Sequence, residues 1–471
     1  MGRLAYDRIL KYEIEAVTRG PLHIGGYLGG TDEVLIDPKD NKPFIQASTL
    51  AGFLRSVSAA ERRGDQITSE LFGDSHDSNS EKSGNSRVKV TDGTMKSGSI
   101  KMELRPNVRI DRKTGTAGNE KGSGQKFETA YVSEGTEFCF TLYLYTKKEE
   151  PAQQSVLETV LGIMKADDAM GGNGARIGSK KSSGAGGFGA TKIRRCIYDM
   201  TVEEDRKAWI KGDNPSTCDD ILSELSPIIS DCKYVIKVSA VTEGPIQVRG
   251  IAVNEFGSNA PDSENMTNGN NQFILPGSSI RGAIRSRMEM IADYMNKDQV
   301  IQNAFGYMAD KHQDSRSGNL YFQDVLFKEK DQIKIQGNPL RHRIHIDKFT
   351  GGVMSRTLFS EKNASGETEI IIRILNKYDP DATLGLLLFA LRDLASNLYN
   401  LGNGYATGKG FLKVSSIQIT GRNTAPGHEE DANNVAEIQY GEENRILDES
   451  GMIKAALKSL NEMKEVRNGN D

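Results

Sequence analysis

Hydrophobic and polar positions alternate along Tyr12, Ile14 and Ala16, and again along Tyr234, Ile236, Val238 and Ala240. A period of two marks a half-buried strand. The two runs end alike, in Thr18-Arg19-Gly20-Pro21 and Thr242-Glu243-Gly244-Pro245. Helical spacing follows each: Leu50, Phe53, Leu54 and Val57 in one case, Ile280, Ile284 and Ile291 in the other. Ser48 is placed to cap the first of these helices. Two strand-like segments come next, 87–91 with 138–144 and 320–327 with 369–375. A second helix is predicted over about 155–164 and 384–399, and a closing strand over 191–198 and 411–419.

The same order thus occurs twice, and short motifs mark the copies. Thr18 and Thr242 are 224 apart; Ser48-Thr-Leu-Ala-Gly-Phe-Leu-Arg55 and Ser278-Ser-Ile-Arg-Gly-Ala-Ile-Arg285 are 230 apart. Leu71-Phe72-Gly73 returns as Ala304-Phe305-Gly306, and Arg109-Ile110-Asp111-Arg112 as His345-Ile346-Asp347-Lys348. Matches in one order with slowly drifting offsets mean tandem duplication. The order β-α-β-β-α-β is the split βαβ, ferredoxin-like arrangement. The expected class is therefore α+β, with domains at 1–200 and 233–421. An acidic linker (201–232) and an acidic C-terminal extension (422–471) complete the chain; the extension is expected to carry an amphipathic helix over 446–466 and mobile ends.

Charge changes this picture. The chain has 60 Lys+Arg against 64 Asp+Glu, a formal charge of −4, which argues against a nucleic-acid binder. The distribution argues the other way: linker and tail are acidic, whereas 101–126 has seven bases to three acids and 171–195 has six bases and no acid. No apolar run reaches the roughly 18 residues of a membrane span. Cys139, Cys196, Cys218 and Cys232 form no CxxC pair. They read as scattered reduced thiols of a cytoplasmic protein.

Three features carry candidate chemistry. Glycine-rich loops close each half, at 171–189 and 402–410. They follow a helix and precede a strand, the reverse of a nucleotide-binding turn, and their spacing is wrong for a phosphate loop. Cations such as Lys180 and Lys181 in the first loop, and Lys409 in the second, suit a polyphosphate chain, so RNA is the better ligand. The helix starts at Ser48 and Ser278 offer a phosphate cradle within reach of Arg55 and Arg285. Gly52 and Gly282 inside these helices suggest close approach of another backbone. The third feature is the long basic segment with Arg109 and Arg112, too long for a simple turn; Arg341-His342-Arg343 and Lys348 mark the same place in the second half.

In ordered set these motifs resemble the RAMP superfamily, specifically the backbone subunits of type III CRISPR effector complexes. The residues that carry the resemblance are Gly20-Pro-Leu-His23-Ile-Gly25-Gly26, Pro43-Phe44-Ile45 leading into the Ser48 helix, Leu71-Phe72-Gly73, Asn107-Val-Arg109-Ile-Asp-Arg112 and the first glycine loop. In the second half they are Phe273-Ile-Leu-Pro-Gly277-Ser278-Ser-Ile-Arg281-Gly282-Ala-Ile-Arg285 and Ile346-Asp347-Lys348. The resemblance implies two ferredoxin-like, RRM-like palms, each with a protruding β-hairpin thumb and a glycine-rich loop. Implied partners are a CRISPR guide RNA, complementary target RNA and the other subunits of the type III complex, with no membrane.

It further implies metal-dependent cleavage of the paired target, with a divalent metal (Mg2+) as cofactor. Asp32, after the His-Ile-Gly-Gly segment, is the matching catalytic and metal-holding aspartate. The second half has Ile246-Gln-Val-Arg249-Gly250 in place of that segment, and its longer loop offers Glu255 or Asp262 without clear register. That half therefore either binds without cutting or cuts with Asp262. RNA contacts implied by the motifs are His23, Ser48, Arg55, Arg109, Arg112, Lys180, Lys181, Arg249, Ser278, Arg281, Arg285, Arg343, Lys348 and Lys409. Two alternatives stay open: a purely structural RNA-binding subunit, and a guide-processing endoribonuclease using His23.

Overall fold

The structure is a computed structural model and describes residues 6–25, 33–61, 66–73, 85–96, 98, 100–108, 110, 126–165, 175–227, 232–250, 261–308, 314–328, 340–355, 357–421 and 434–463. The chain divides into two compact units. The first holds Met1–Glu103, Ala130–Lys181 and Ala185–Asp231; the second holds Leu104–Thr129, Ser182–Gly184 and Cys232–Asp471. The halves of the sequence and the units of the fold therefore do not coincide: two first-half segments belong to the second unit.

In the first unit the strand Arg8–Thr18 is central, antiparallel to Gly187–Asp199 on one side and Glu137–Thr146 on the other. Val88–Val90 pairs with the far edge of Glu137–Thr146. The alternation read in the sequence sends Leu10, Tyr12, Ile14 and Ala16 to one face. There they are buried with Leu50 and Leu54 of α1 (Ala47–Glu61) and Val156, Leu157 and Val160 of α3 (Pro151–Leu161), with α2 (Gln66–Phe72) between these helices in sequence. The second unit repeats this order. Cys232–Thr242 lies between Glu367–Leu375 and Leu412–Gly421, with Leu320–Phe322 beyond Glu367–Leu375. In both units the four strands stand in the spatial order fourth, first, third, second.

The duplication extends to irregularities. The strand pair Arg8–Thr18 and Gly187–Asp199 has a bulge between Glu15 and Ala16; its counterpart in the second unit falls between Ser239 and Ala240, 224 residues on. The residue left out of register is a hydroxyl in each case, and it donates to the same carbonyl: Thr191 Oγ1 to Glu15 O at 3.2 Å, Ser415 Oγ to Ser239 O at 3.0 Å. Bulges re-aim strands and are kept as built features.

Several expectations need correction. The acidic segment after residue 200 is not a mere linker. Its α4 (Glu203–Lys211) sets Trp209 against Tyr143 and Tyr198, at 5.8 and 5.0 Å between ring centroids. Its strand Thr217–Asp220 extends the first sheet. That strand faces Cys218 against Cys196, and the two are disulfide-bonded, not scattered thiols. Cross-strand opposition, invisible at a sequence separation of 22, brings them together. The small cluster of Ile9, Cys196 and Tyr198 under α4 also occupies the sheet face on which an RNA-recognition fold would stack bases.

In the second unit, α5 (Gly277–Met295), α6 (Asp298–Phe305) and α7 (Pro380–Ala395) cover the sheet. The C-terminal extension folds onto this unit. Asn434–Gln439 and Arg445–Leu447 add two strands, and α8 (Met452–Glu462) buries Met452, Ile453, Ala456 and Leu460. α8 approaches α7 so closely that a Cβ on Gly385 would stand 2.6 Å from Ala456 O. The expected amphipathic helix is thus present as α8, and the extension adds Ala436, Met452, Ile453, Ala456 and Leu460 to the core of this unit. Among the described residues no helix is long and apolar enough to cross a membrane.

Candidate nucleic-acid interface

The helix starts are where sequence reasoning and structure differ most. α1 begins at Ala47 and α5 at Gly277, so Ser48 and Ser278 are the second residues of their helices, exposed but not capping. The cap is a carboxylate from the following strand region. Asp92 Oδ1 accepts from Ala47 N at 2.7 Å, and Asp324 Oδ1 accepts from Gly277 N at 2.8 Å. An anion already neutralises the positive end of each helix, so the first free amide of the expected phosphate cradle is taken. Gly52 and Gly282 are likewise not sites of close backbone packing: a Cβ on either would meet nothing within 4 Å.

The arginines of the α5 motif converge on Phe305. Arg281 donates through Nη2 to Phe305 O at 3.0 Å and lies 5.2 Å from the ring centroid; Arg285 lies 5.3 Å from it and pairs with Glu289 at 2.8 Å. The Phe-Gly motif is therefore the platform on which the helix arginines rest. Arg55, on α1, is half-buried.

The glycine loops are built as tight, positive-φ turns against the Gly-Pro segments. Gly178 (φ +77°) has no room for a Cβ beside His23 O, and Gly402 (φ +87°), 224 residues later, has none beside Gln247 O. Ser179 N donates to His23 O at 2.9 Å and Asn403 N to Gln247 O at 2.8 Å. These matches equate Gln247 with His23 and explain the departure of the second copy. His23 is 4% exposed, its Nδ1 2.7 Å from Ala130 O; Gln247 is fully buried and donates to Ser263 Oγ at 2.9 Å. Their backbone carbonyls hold the loops while both side chains are buried, so His23 does not present itself to RNA.

Lys409 is a second correction. It is 5% exposed and its ammonium is held by Glu361 and by Gln247 Oε1, so it serves the interior. Glu361, fully buried, also takes Arg343. Burial works to raise its pKa, but the Lys409 ammonium and Arg343 guanidinium outweigh burial and hold it below the usual carboxylate range. In the first loop Lys181 is exposed, Lys180 is half-buried with Nζ 6.0 Å from the Tyr131 ring, and Arg176 donates to Lys181 O and Ala185 O.

Each half also carries an antiparallel strand pair, a ribbon, outside its main sheet. In the first, Met102–Val108 pairs with Lys126–Val132, exposing Met102, Leu104, Val108 and Phe127. Arg109, Arg112, Asp32 and Glu255 lie outside the described residues. In the second, Leu340–Arg343 pairs with Phe359–Lys362. At its end Asp347 Oδ1 accepts from Phe349 N and Thr350 N, and the ordered turn leaves Phe349 wholly exposed with Lys348 beside it. Arg249 and Arg343 flank Phe359 at 5.9 and 5.6 Å.

Asp262 gains the register it lacked. It precedes the strand Ser263–Glu264, which pairs in parallel with Phe359–Lys362, and its Oδ2 accepts from Ser360 N at 2.6 Å and Ser360 Oγ at 2.8 Å. Among the described residues no three His, Cys, Asp or Glu side chains converge to hold a metal ion.

Sequence reasoning missed Asp92, Asp324 and Glu361, and gave Gln247 no role; the 224-residue offset between Thr18 and Thr242 was the signal that could have matched it to His23. No curated protein matches the chain. The RAMP superfamily model matches residues 15–188 and 209–413, one segment for each copy of the repeat, and by this coverage the chain belongs to the RAMP superfamily.

Proposed function

We propose that this protein is a guide-RNA-binding backbone subunit of a type III CRISPR ribonucleoprotein, two units fused in one chain, that cleaves guide-paired target RNA. Membership of the superfamily points to a CRISPR-associated RNA-binding subunit. The observation that carries the finer reading is the repetition of the whole unit, down to its bulge and its glycine-loop contacts, since a subunit that tracks a guide benefits from equal steps along it. In this reading the two RRM-like palms are ferredoxin-like, and the two ribbons are thumbs whose exposed apolar tips, Phe349 in the second, part the guide–target duplex. Cations on either side of Phe359 meet phosphates, an attraction that falls with salt.

Asp32 is the proposed carboxylate for the cut in the first half, and a divalent metal belongs to that proposal. The guide-processing reading loses its residue, because His23 is buried and turned to Ala130.

The test is the RNA that co-purifies with the full chain. Guide RNA carrying CRISPR repeat sequence is expected; ribosomal fragments alone overturn the reading. In the assembled complex Asp32→Ala is expected to remove one target product and leave guide binding intact. An unchanged product set leaves the chain a structural subunit.

A further inference from the structure

The first sheet has two faces. On one, Leu10, Tyr12, Ile14 and Ala16 are buried with α1 and α3. The other gathers Ile9, Cys196 and Tyr198, with Tyr6, Tyr143 and Tyr145 packed against them. Register places Ile9 between Tyr145 and Tyr198, and Lys11 between Tyr143 and Cys196. Lys89, exposed, holds its Nζ 6.0 Å from the Tyr143 ring centroid. Tyrosines on adjacent strands with cations at their edge make a surface on which single-stranded RNA stacks its bases.

Residues 200–220 cover this face. The segment leaves the sheet after Asp199 and is anchored again at Ile221, which is 1% exposed and donates its N–H to Ile193 O at 2.9 Å. Between these points little holds it down. Within 201–220 only Asp205 and Pro215 are buried. Trp209, the one aromatic residue of the segment, meets Tyr143 and Tyr198 edge-on. The strand Thr217–Asp220 lies at the sheet edge with Thr217, Asp219 and Asp220 exposed. The covalent tie is the Cys196–Cys218 bond. Cys196 is fully buried and Cys218 half-buried, so Cys218 is the sulfur open to exchange.

We propose that 200–220 is a redox-fastened flap: with the Cys196–Cys218 bond intact it covers the tyrosine face, and with the bond reduced it uncovers that face to single-stranded RNA. This rests on the guide-RNA reading above, because a guide subunit works where RNA is made, among thiol pools that keep disulfides transient. The step is thiol–disulfide exchange with a dithiol reductant. One reductant thiolate attacks Cys218 Sγ; the bond to Cys196 breaks, and Cys196 leaves as a thiolate and takes up a proton. The second reductant thiolate attacks the reductant sulfur of the mixed disulfide, and Cys218 leaves in the same way. The two electrons and two protons lost by the dithiol end on the two cysteines, and the reductant becomes a disulfide.

The test uses the full chain, oxidised or treated with dithiothreitol. Gel shift with guide RNA comes first, and binding in neither state overturns the guide-RNA reading. The flap is read separately, by hydrogen exchange and by crosslinking of end-labelled oligouridylate to the guide-loaded chain. Reduction is expected to speed exchange within 200–220 and to tighten oligouridylate binding about 5–150-fold, with crosslinks in 137–146 and 187–199. Cys218→Ser is expected to behave as the reduced chain without any reductant. Tyr143→Ala is expected to lose the gain in RNA binding and keep the faster exchange. Exchange in 200–220 indifferent to reduction makes the bond a plain staple and overturns the proposal. A change that spreads through the whole first sheet, or a flap that opens with no gain in RNA binding, overturns it too. Cys218→Ala gives the same readout should the serine variant fold poorly.

Discussion

Glu361 shows how much one residue decides. A buried carboxylate between Lys409 and Arg343 costs desolvation, and both partners are needed to offset it. Glu361→Ala leaves the Lys409 ammonium buried with only Gln247, and is expected to destabilise the second unit by roughly 3–5 kcal/mol in urea unfolding. Its pKa is lower folded than in the unfolded chain, where a glutamate titrates near about 4.3. Its stabilisation is thus complete above that value and is lost as pH falls through the folded one. Unfolding curves below about pH 4 should therefore flatten in Glu361→Ala relative to wild type. Gly52 and Gly282 are the converse. With open space where a Cβ would stand, Gly52→Ala and Gly282→Ala are expected to raise stability by about 0.5–1 kcal/mol each. Under the proposed function they also weaken guide binding in a gel shift, because the RNA backbone would approach where the added Cβ stands; unchanged binding removes this helix face from the interface. Both glycines were legible as anomalies in helical patterns, but what they face was not.

At the scale of elements, the caps separate the two copies. Asp92 and Asp324 do the same work for α1 and α5, but Asp324 has a second partner: Arg105, 8% exposed, reaches its Oδ2 at 2.6 Å. Asp92→Ala is expected to cost the ordinary value of a lost cap, roughly 0.5–2 kcal/mol. Asp324→Ala also strips a buried arginine of this carboxylate, and roughly 3–5 kcal/mol is expected. Equal losses in urea unfolding would mean that the Arg105 pair adds nothing. Neither cap was readable from sequence. Ser48 looked like the cap because local rules favour Ser at a helix start, whereas the actual partner is Asp92, 45 residues from Ala47. Strands and long helices were legible, since periodicity is a local consequence of which face is buried. α4, the strand beside it and the Cys196–Cys218 bond were not, because acidic composition resembles a solvated linker.

For the whole molecule, the C-terminal extension sets a test of its own. A chain ending at residue 421 exposes the α7 surface that Met452, Ile453, Ala456 and Leu460 cover, and burying such apolar side chains is worth roughly 1.5–3 kcal/mol each for the larger ones. Rapid proteolysis of that truncated chain within the second half is expected; resistance equal to the full chain would make the extension dispensable. The acidic balance of −4 is likewise a property of the whole that hides its parts. By itself the sequence determined the duplication, the strand and helix order of each copy and the basic segments, because repeats and periodicity are written in neighbouring residues. Only the tertiary structure decided which charged residues face outward. His23 and Lys409 turn inward, Asp262 gains Ser360 as its partner, and part of the first half joins the second unit. Burial and cross-strand register are set by pairing between segments far apart in the chain, and no local pattern encodes them.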